Sequence, residues 1–184
     1  LAVVGGGPIG TELAQAFARL GSRVTLIEAG PRLLPKDDPV LTAQLQEHLL
    51  GEGVEVRVNT RVASAETAGD AAVLELDHDT ACEARTFDRV LIATGRVANT
   101  ESINPQAAGL TLDRDGTLEV DNRLRTSQRH IYAVGDCAGP YPFTHMAEYQ
   151  AGIVISNAIF RLPRKANYAV VPWVTYTDPE LAQV

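Results

Sequence analysis

Gly5, Gly7 and Gly10 spell G-x-G-x-x-G, and Glu28 follows 18 positions after the last of them. Residues of these types at this spacing suit the binding of a phosphorylated dinucleotide. The first glycine permits a tight turn, the second lets the backbone approach a pyrophosphate, and the third lets a helix pack closely on a strand. A helix opening at that turn aims its N–H groups and the positive end of its dipole at the phosphates. Geometry this local can hold an anion even in a chain of net charge −7. Pro8 and Ile9, inside the same turn, are counted with the glycines as cofactor-binding residues.

Glu28 narrows the choice of dinucleotide. A carboxylate at the end of the second strand accepts hydrogen bonds from both ribose hydroxyls, whereas the 2′-phosphate of NADP would set like charges together in a partly desolvated cleft. NAD is therefore expected, with NADP less favoured. Arg32 is the one cation in the following turn that could still meet a 2′-phosphate, so that alternative stays open, as does a Glu28 that is only a solvated strand end. Cys82 and Cys137 lie far apart with no C-x-x-C or metal-type spacing, which argues against a disulfide scaffold and against a zinc site. No metal ligand set is assigned.

These residues need a strand before the glycines and a helix after them, and the pattern supplies both. Leu1 to Val4 is a short apolar strand; Ile9, Leu13, Ala16, Phe17 and Leu20 then recur at helical spacing up to Gly21. Val24 to Ile27 is the next strand. Asp38 can cap a helix with Pro39 in its first turn, and Val40, Leu41, Leu45 and Leu49 form its expected buried stripe, ending at Gly51. Val54 to Val58 is a third strand, and the β-α-β-α-β order implies a parallel sheet with right-handed crossovers. From Arg61 to Phe87, short strands separated by Ala68-Gly69-Asp70 and His78-Asp79-Thr80 read as an antiparallel meander, and Val90 to Ala93 returns to a buried strand. Beyond Gly95, Val97 to Gln106 is loop-like, Asp113-Arg114-Asp115-Gly116 makes a turn, and Leu118 to Val120 and Ile131 to Val134 read as strands. His145 to Phe160 makes one long helix before Pro163, and Val171 to Tyr176 has strand character. The fold class is α/β: a Rossmann-like parallel sheet with crossover helices and an antiparallel β-meander, plus part of a second domain.

The 184 residues include 16 basic and 23 acidic side chains, with no basic block long enough to track a nucleic-acid backbone, so nucleic acid is not an expected partner. Apolar runs reach only strand length, which points away from a membrane span and toward a cytoplasmic protein. Leu1 is not a Met, and the chain starts inside a strand and stops soon after Thr177-Asp178-Pro179-Glu180. A fragment of a longer protein is expected.

Three further segments carry a resemblance: Ala93-Thr94-Gly95-Arg96, Ile131-Tyr132-Ala133-Val134-Gly135-Asp136, and Val174-Thr175-Tyr176-Thr177-Asp178-Pro179-Glu180. In this order after the glycine turn, they make the chain similar to the pyridine nucleotide-disulfide oxidoreductases, in the branch of dihydrolipoamide dehydrogenase, glutathione reductase and mercuric reductase. The resemblance covers essentially the whole chain and rests on the ordered set.

That resemblance implies FAD as a second cofactor, with Asp136 accepting hydrogen bonds from the ribitol; a plain turn cap is the alternative. It places Thr144, with His145 and Ala147, where a helix starts near the isoalloxazine. It puts Glu12 close to the nicotinamide, paired with a lysine of the flavin domain, although an acid in a helix's first turn is favourable in any case. Val62 falls beside the adenine or in the core, and Gly95 lets backbone approach the nicotinamide end. Ala98 stands where the family usually has proline. The family's first flavin fingerprint and its C-x-x-x-x-C redox disulfide do not occur here, so the catalytic residues are unknown and Cys137 reads as a packed thiol.

The implied layout is an NAD(P)-binding domain over 1–98, a returning segment of an FAD domain over 99–166, and the start of an interface domain over 167–184. The implied parent is a homodimeric flavoenzyme that passes a hydride from nicotinamide to flavin and on to a disulfide, thiol or metal-ion substrate. A single-cysteine NADH oxidase or peroxidase and a non-catalytic dinucleotide-binding module are the alternatives. By itself the fragment is expected to lack disulfide reductase activity.

Overall fold

Ala2–Val4 (β1) is apolar on both faces, as a strand covered on both sides must be. In the computed structural model, which describes residues 1–78 and 81–184, it lies inside a parallel sheet. Its neighbours are Thr25–Ile27 (β2) and Val90–Ile92 (β7), and Glu55–Arg57 (β3) pairs with β2, giving the order β3-β2-β1-β7. The expected crossover helices are Pro8–Arg19 (α1) and Pro39–Gly51 (α2). Asp38 caps α2 as expected, its carboxylate accepting the Val40 and Leu41 N–H groups at 2.8 and 3.2 Å.

Alternation along the strands sorts side chains to two faces. Val3, Leu26 and Val54 join Ala14 of α1 and Leu45 and Leu49 of α2 in one cluster. Ala2 and Ile27 face the other way, onto Leu74, Leu76 and Phe87. These last come from the meander: Thr60–Ala68 (β4), Ala71–His78 (β5) and Ala81–Phe87 (β6), antiparallel in that order. Gly69 makes the first meander turn at φ +62°. Asp79 and Thr80 of the second expected turn lie outside the described residues.

Each helix buries part of its expected apolar stripe, Phe17 of α1 packing on the core and Leu45 and Leu49 of α2 lying within it, and turns the rest outward. In α1, Gly10, Thr11, Ala14 and Gln15 are buried, whereas Ile9 and, just past the helix end, Leu20 are exposed. Small residues win that face because the helix sits close against the strands. In α2, Thr42, Leu45 and Leu49 point inward at i, i+3 and i+7, and Val40 and Leu41 are exposed.

Glu55 ties the parallel sheet to the meander. Its carboxylate accepts two bonds from Arg85 of β6, at 2.7 and 3.0 Å, one from Thr25 Oγ1 at 2.9 Å and one from Arg57 Nε at 2.9 Å. The Arg85 guanidinium, with help from Thr25 and Arg57, outweighs partial burial and holds the Glu55 carboxyl down at about 2. Folding thus gains stability from Glu55 above the unfolded carboxyl's value of about 4.3 and loses it as pH falls toward 2. Glu55 is partly exposed, so solvent screening reduces this contribution to about 1 kcal/mol. Glu55→Gln should lower the melting temperature by about 2–4 °C at pH 7. The gap should close in melts at progressively lower pH; a gap that persists undiminished at pH 2 would refute the assignment.

Two compact units are present: residues 1–95 with 172–184, and residues 96–171. Residues 172–184 fall in the same unit as the parallel sheet. They form a hairpin of Trp173–Thr175 (β8) and Leu181–Gln183 (β9). Leu181 enters the first core cluster, and the buried Asp37 carboxylate accepts from Trp173 Nε1 at 2.7 Å and from Gln183 Nε2. Gln15 of α1 exchanges two hydrogen bonds with the Asp178 backbone, at 2.7 and 2.8 Å.

In the second unit, Leu110, Leu118, Ala133 and Ala138 form a small core beside the helix Thr144–Ala158 (α3). The expected turn closes with Gly116 N–H on the Asp113 carbonyl. The strands expected at 118–120 and 131–134 are instead single bridges, Leu112 with Leu118 and Arg125 with Tyr132. An apolar segment becomes a strand only where a neighbour completes its ladder. Among the described residues no helix is long and apolar enough to cross a membrane.

Candidate functional site

The glycine turn forms where β1 runs into α1. Gly5 donates its N–H to the Ile27 carbonyl at 2.8 Å and turns at φ +111°, in the region that favours glycine. A Cβ on Gly5 would lie 2.3 Å from the Ala93 carbonyl oxygen, and one on Gly10 would lie 1.9 Å from the Gly5 carbonyl oxygen. Neither position accepts a side chain. Gly7 differs: a Cβ there would meet nothing within 4 Å. Gly7 is also the N-cap of α1 and supplies no side-chain oxygen to the helix end. The helix therefore opens with no side chain capping its N–H groups, which leaves them available to an anion. Pro8 and Ile9, the first helical residues, are exposed at that opening.

Glu28 stands beside this turn, directly after β2. Its Oε2 accepts the Gly6 N–H and its Oε1 the Gly30 N–H, both at 2.6 Å. Two main-chain donors fix the carboxylate, and each oxygen keeps a further lone pair for a hydroxyl. Gly6 is part of the site that the motif spacing did not single out. A Cβ there would lie 2.9 Å from Glu28 Cβ, so only glycine lets the acid pack this closely. The run Gly5-Gly6-Gly7 was the available signal.

The other nucleotide candidates are spread over the same unit. Glu12, on α1, accepts the Tyr176 N–H at 2.9 Å through Oε1. Val62, on β4, packs against the meander core of Leu74, Leu76 and Phe87. Gly95 lies past β7, exposed, at φ +136°.

In the second unit Asp136 projects from a short 3-10 turn, Gly135–Ala138, about half exposed. Arg96 Nη1 donates to its Oδ2 at 2.9 Å and to the Pro142 carbonyl at 2.9 Å. Behind the turn, Gly135 at φ +73° donates its N–H to Oε1 of the fully buried Gln150 at 2.7 Å, and Gln150 Nε2 donates to the Tyr168 hydroxyl at 3.0 Å. A carboxylate held by one guanidinium on a braced turn suits the hydroxyls of a polyol. Arg96 and Gln150 were not among the expected site residues, because their partners are 40 and 15 positions away. Thr144 is the exposed first residue of α3, and His145 stacks on Phe143 with ring centroids 5.5 Å apart. Cys137 donates its thiol to the Val134 carbonyl at 3.2 Å and packs against the small core. Among the described residues, no group of three or more His, Cys, Asp or Glu is placed to hold a metal ion.

Comparison with known proteins gives a family for the chain. Residues 1–151 match the family described as pyridine nucleotide-disulphide oxidoreductase. A mercuric reductase of Lysinibacillus sphaericus is 35% identical over all 184 residues, which span 34% of that protein. A dihydrolipoyl dehydrogenase of Thermus scotoductus is 37% identical over the whole chain and 40% of its own length. Among solved structures, the Cu(II) complex of the HOCl-induced flavoprotein disulfide reductase RclA from Escherichia coli superposes with a TM-score of 0.90 at 30% identity, covering 98% of this chain and 40% of that one. The chain thus spans between a third and two-fifths of the length of these relatives.

Proposed function

Since the chain belongs to the pyridine nucleotide-disulphide oxidoreductase family, we propose that it is part of an FAD-dependent enzyme that takes a hydride from a nicotinamide dinucleotide and passes an electron pair to a disulfide or a metal ion. The observation that carries the reading is the Glu28 carboxylate, fixed by the Gly6 and Gly30 N–H groups beside an uncapped helix start.

In this reading Gly5, Gly7 and Gly10, with Pro8 and Ile9, hold the pyrophosphate through main-chain groups, and Glu28 orients the adenosine ribose. Val62 and Gly95 border the nucleotide, and Glu12 lies toward its reactive end. Asp136 accepts hydroxyls of the flavin's ribitol, with Arg96 setting the carboxylate's direction, and Thr144 begins the helix beside the ring system. When bound, nicotinamide and flavin supply the hydride chemistry; the chain's share is binding and orientation. The redox cysteine pair lies outside these 184 residues in this reading, as does the rest of a homodimeric, cytoplasmic protein.

Anaerobic addition of NADH to the full-length protein tests the proposal. Loss of the flavin's visible absorbance, followed by its return on adding a disulfide or Hg(II), is the expected result. A full-length protein that purifies without flavin, or whose flavin neither NADH nor NADPH reduces, would refute it.

A further inference from the structure

Arg32 is the cation that the sequence left open for a 2′-phosphate, and the structure gives its guanidinium other partners. Nη1 donates to the Leu34 carbonyl at 3.1 Å, the Asp37 carbonyl at 2.9 Å and Thr42 Oγ1 at 3.3 Å, while Nη2 donates to the Pro35 carbonyl at 2.5 Å. Three carbonyls of one loop converge on a single planar fork, whose two terminal nitrogens divide them between its fixed directions, whereas a lysine presents one point of charge. The loop needs such a clamp: Leu34 is fully buried and held at φ +48°, in the left-handed region a leucine rarely adopts.

The same loop buttresses the glycine turn. The Leu34 N–H donates to the Gly6 carbonyl at 2.8 Å, and a Cβ on Gly6 would lie 2.6 Å from Leu33 Cδ2. On its other side, Gly6 donates its N–H to Glu28. A continuous set of contacts therefore runs from the Arg32 guanidinium through Leu34 and Gly6 to the Glu28 carboxylate.

We propose that Arg32 is a positioning residue that sets specificity for NAD: by clamping residues 34–37 it holds Gly6 and Glu28 in the geometry that accepts a ribose 2′-hydroxyl, and it is not a ligand of a 2′-phosphate. This rests on the reading of the glycine turn as a dinucleotide site. Removing Arg32 loosens an acceptor and leaves no phosphate contact to lose, so the two dinucleotides respond differently.

The test is calorimetric titration of NAD⁺ and NADP⁺ into the full-length protein and its Arg32→Met and Arg32→Lys variants, alongside steady-state kinetics with NADH. Arg32→Met should raise the Kd for NAD⁺ about tenfold and that for NADP⁺ no more than about twofold, with kcat at saturating NADH kept within about twofold. Arg32→Lys, able to reach fewer of the carbonyls, should raise the NAD⁺ Kd about threefold. If Arg32→Met weakens NADP⁺ selectively and spares NAD⁺, Arg32 is a phosphate ligand and the proposal falls. A lowered melting temperature with the ratio of the two Kd values unchanged marks a general scaffold role and also overturns it. Where Arg32→Met does not fold, Arg32→Lys decides, and an unaltered NAD⁺ Kd there is fatal. A wild-type protein that binds neither dinucleotide would remove the site reading itself; one that binds NAD⁺ while the variants keep its selectivity removes only the role of Arg32.

Discussion

In the full-length protein, Asp136→Ala is expected to strip most of the flavin while leaving the fold intact. Asp136 pairs with Arg96 across a solvent-exposed contact, and such surface pairs contribute at most about 1 kcal/mol to stability. The turn that carries it is braced independently, by the buried Gln150 against the Gly135 N–H. Removing the carboxylate therefore takes away ligand contacts more than structure. Hydrogen bonds from hydroxyls to an ionised acceptor are worth about 1.5–3 kcal/mol each, so losing even one weakens flavin about 10- to 150-fold. The flavin-to-protein absorbance ratio after gel filtration, read beside a thermal melt, checks this. A variant that keeps its flavin content and spectrum would show that Asp136 is an ordinary turn residue.

What was legible in the sequence followed from local covalent geometry. The left-handed turn at Gly5 and the contact of Gly10 with the Gly5 carbonyl are steric limits a few residues wide, Gly7 leaves open the space in front of the turn, and Glu28 sits one β-α-β unit away. The faces of the helices were less legible. Gln15 is buried because it grips the Asp178 backbone, 163 positions along the chain, and no periodicity within α1 announces such a partner. Its apolar Ile9 and, just past its end, Leu20 point outward, since contact with the sheet favours the small Gly10 and Ala14. The same limit hid β9: its residues read as a strand only once β8 pairs with them. Arg96 and Gln150 show the limit at a candidate site, where the motif names the carboxylate but not the distant side chains that aim it.

Glu28 is expected to make the full-length enzyme prefer NADH over NADPH, and replacing it should change that ratio more than any other substitution in the nucleotide turn. Its carboxylate is fixed by two N–H donors at 2.6 Å, so it cannot swing away from an incoming anion without breaking both bonds. A unit negative charge placed about 4 Å away would be repelled by about 1 kcal/mol at the dielectric of water and about 4 kcal/mol at the effective dielectric of a protein surface. A 2′-hydroxyl instead gains a charge-assisted hydrogen bond worth about 1.5–3 kcal/mol. Both terms favour NADH, and together they predict a preference of about 100-fold or more in kcat/KM. Glu28→Ala should lower kcat/KM for NADH by about 10- to 100-fold and raise that for NADPH, because attraction and repulsion disappear together. Glu28→Gln removes the charge at nearly constant volume but sets its NH2 against one of the two main-chain N–H donors, so a gain with NADPH there reports the lost charge together with one lost brace. Steady-state kinetics with both dinucleotides decides the matter. A parent enzyme more efficient with NADPH, or a ratio that neither substitution moves, would show that the carboxylate braces the Gly6–Gly30 backbone without selecting the nucleotide.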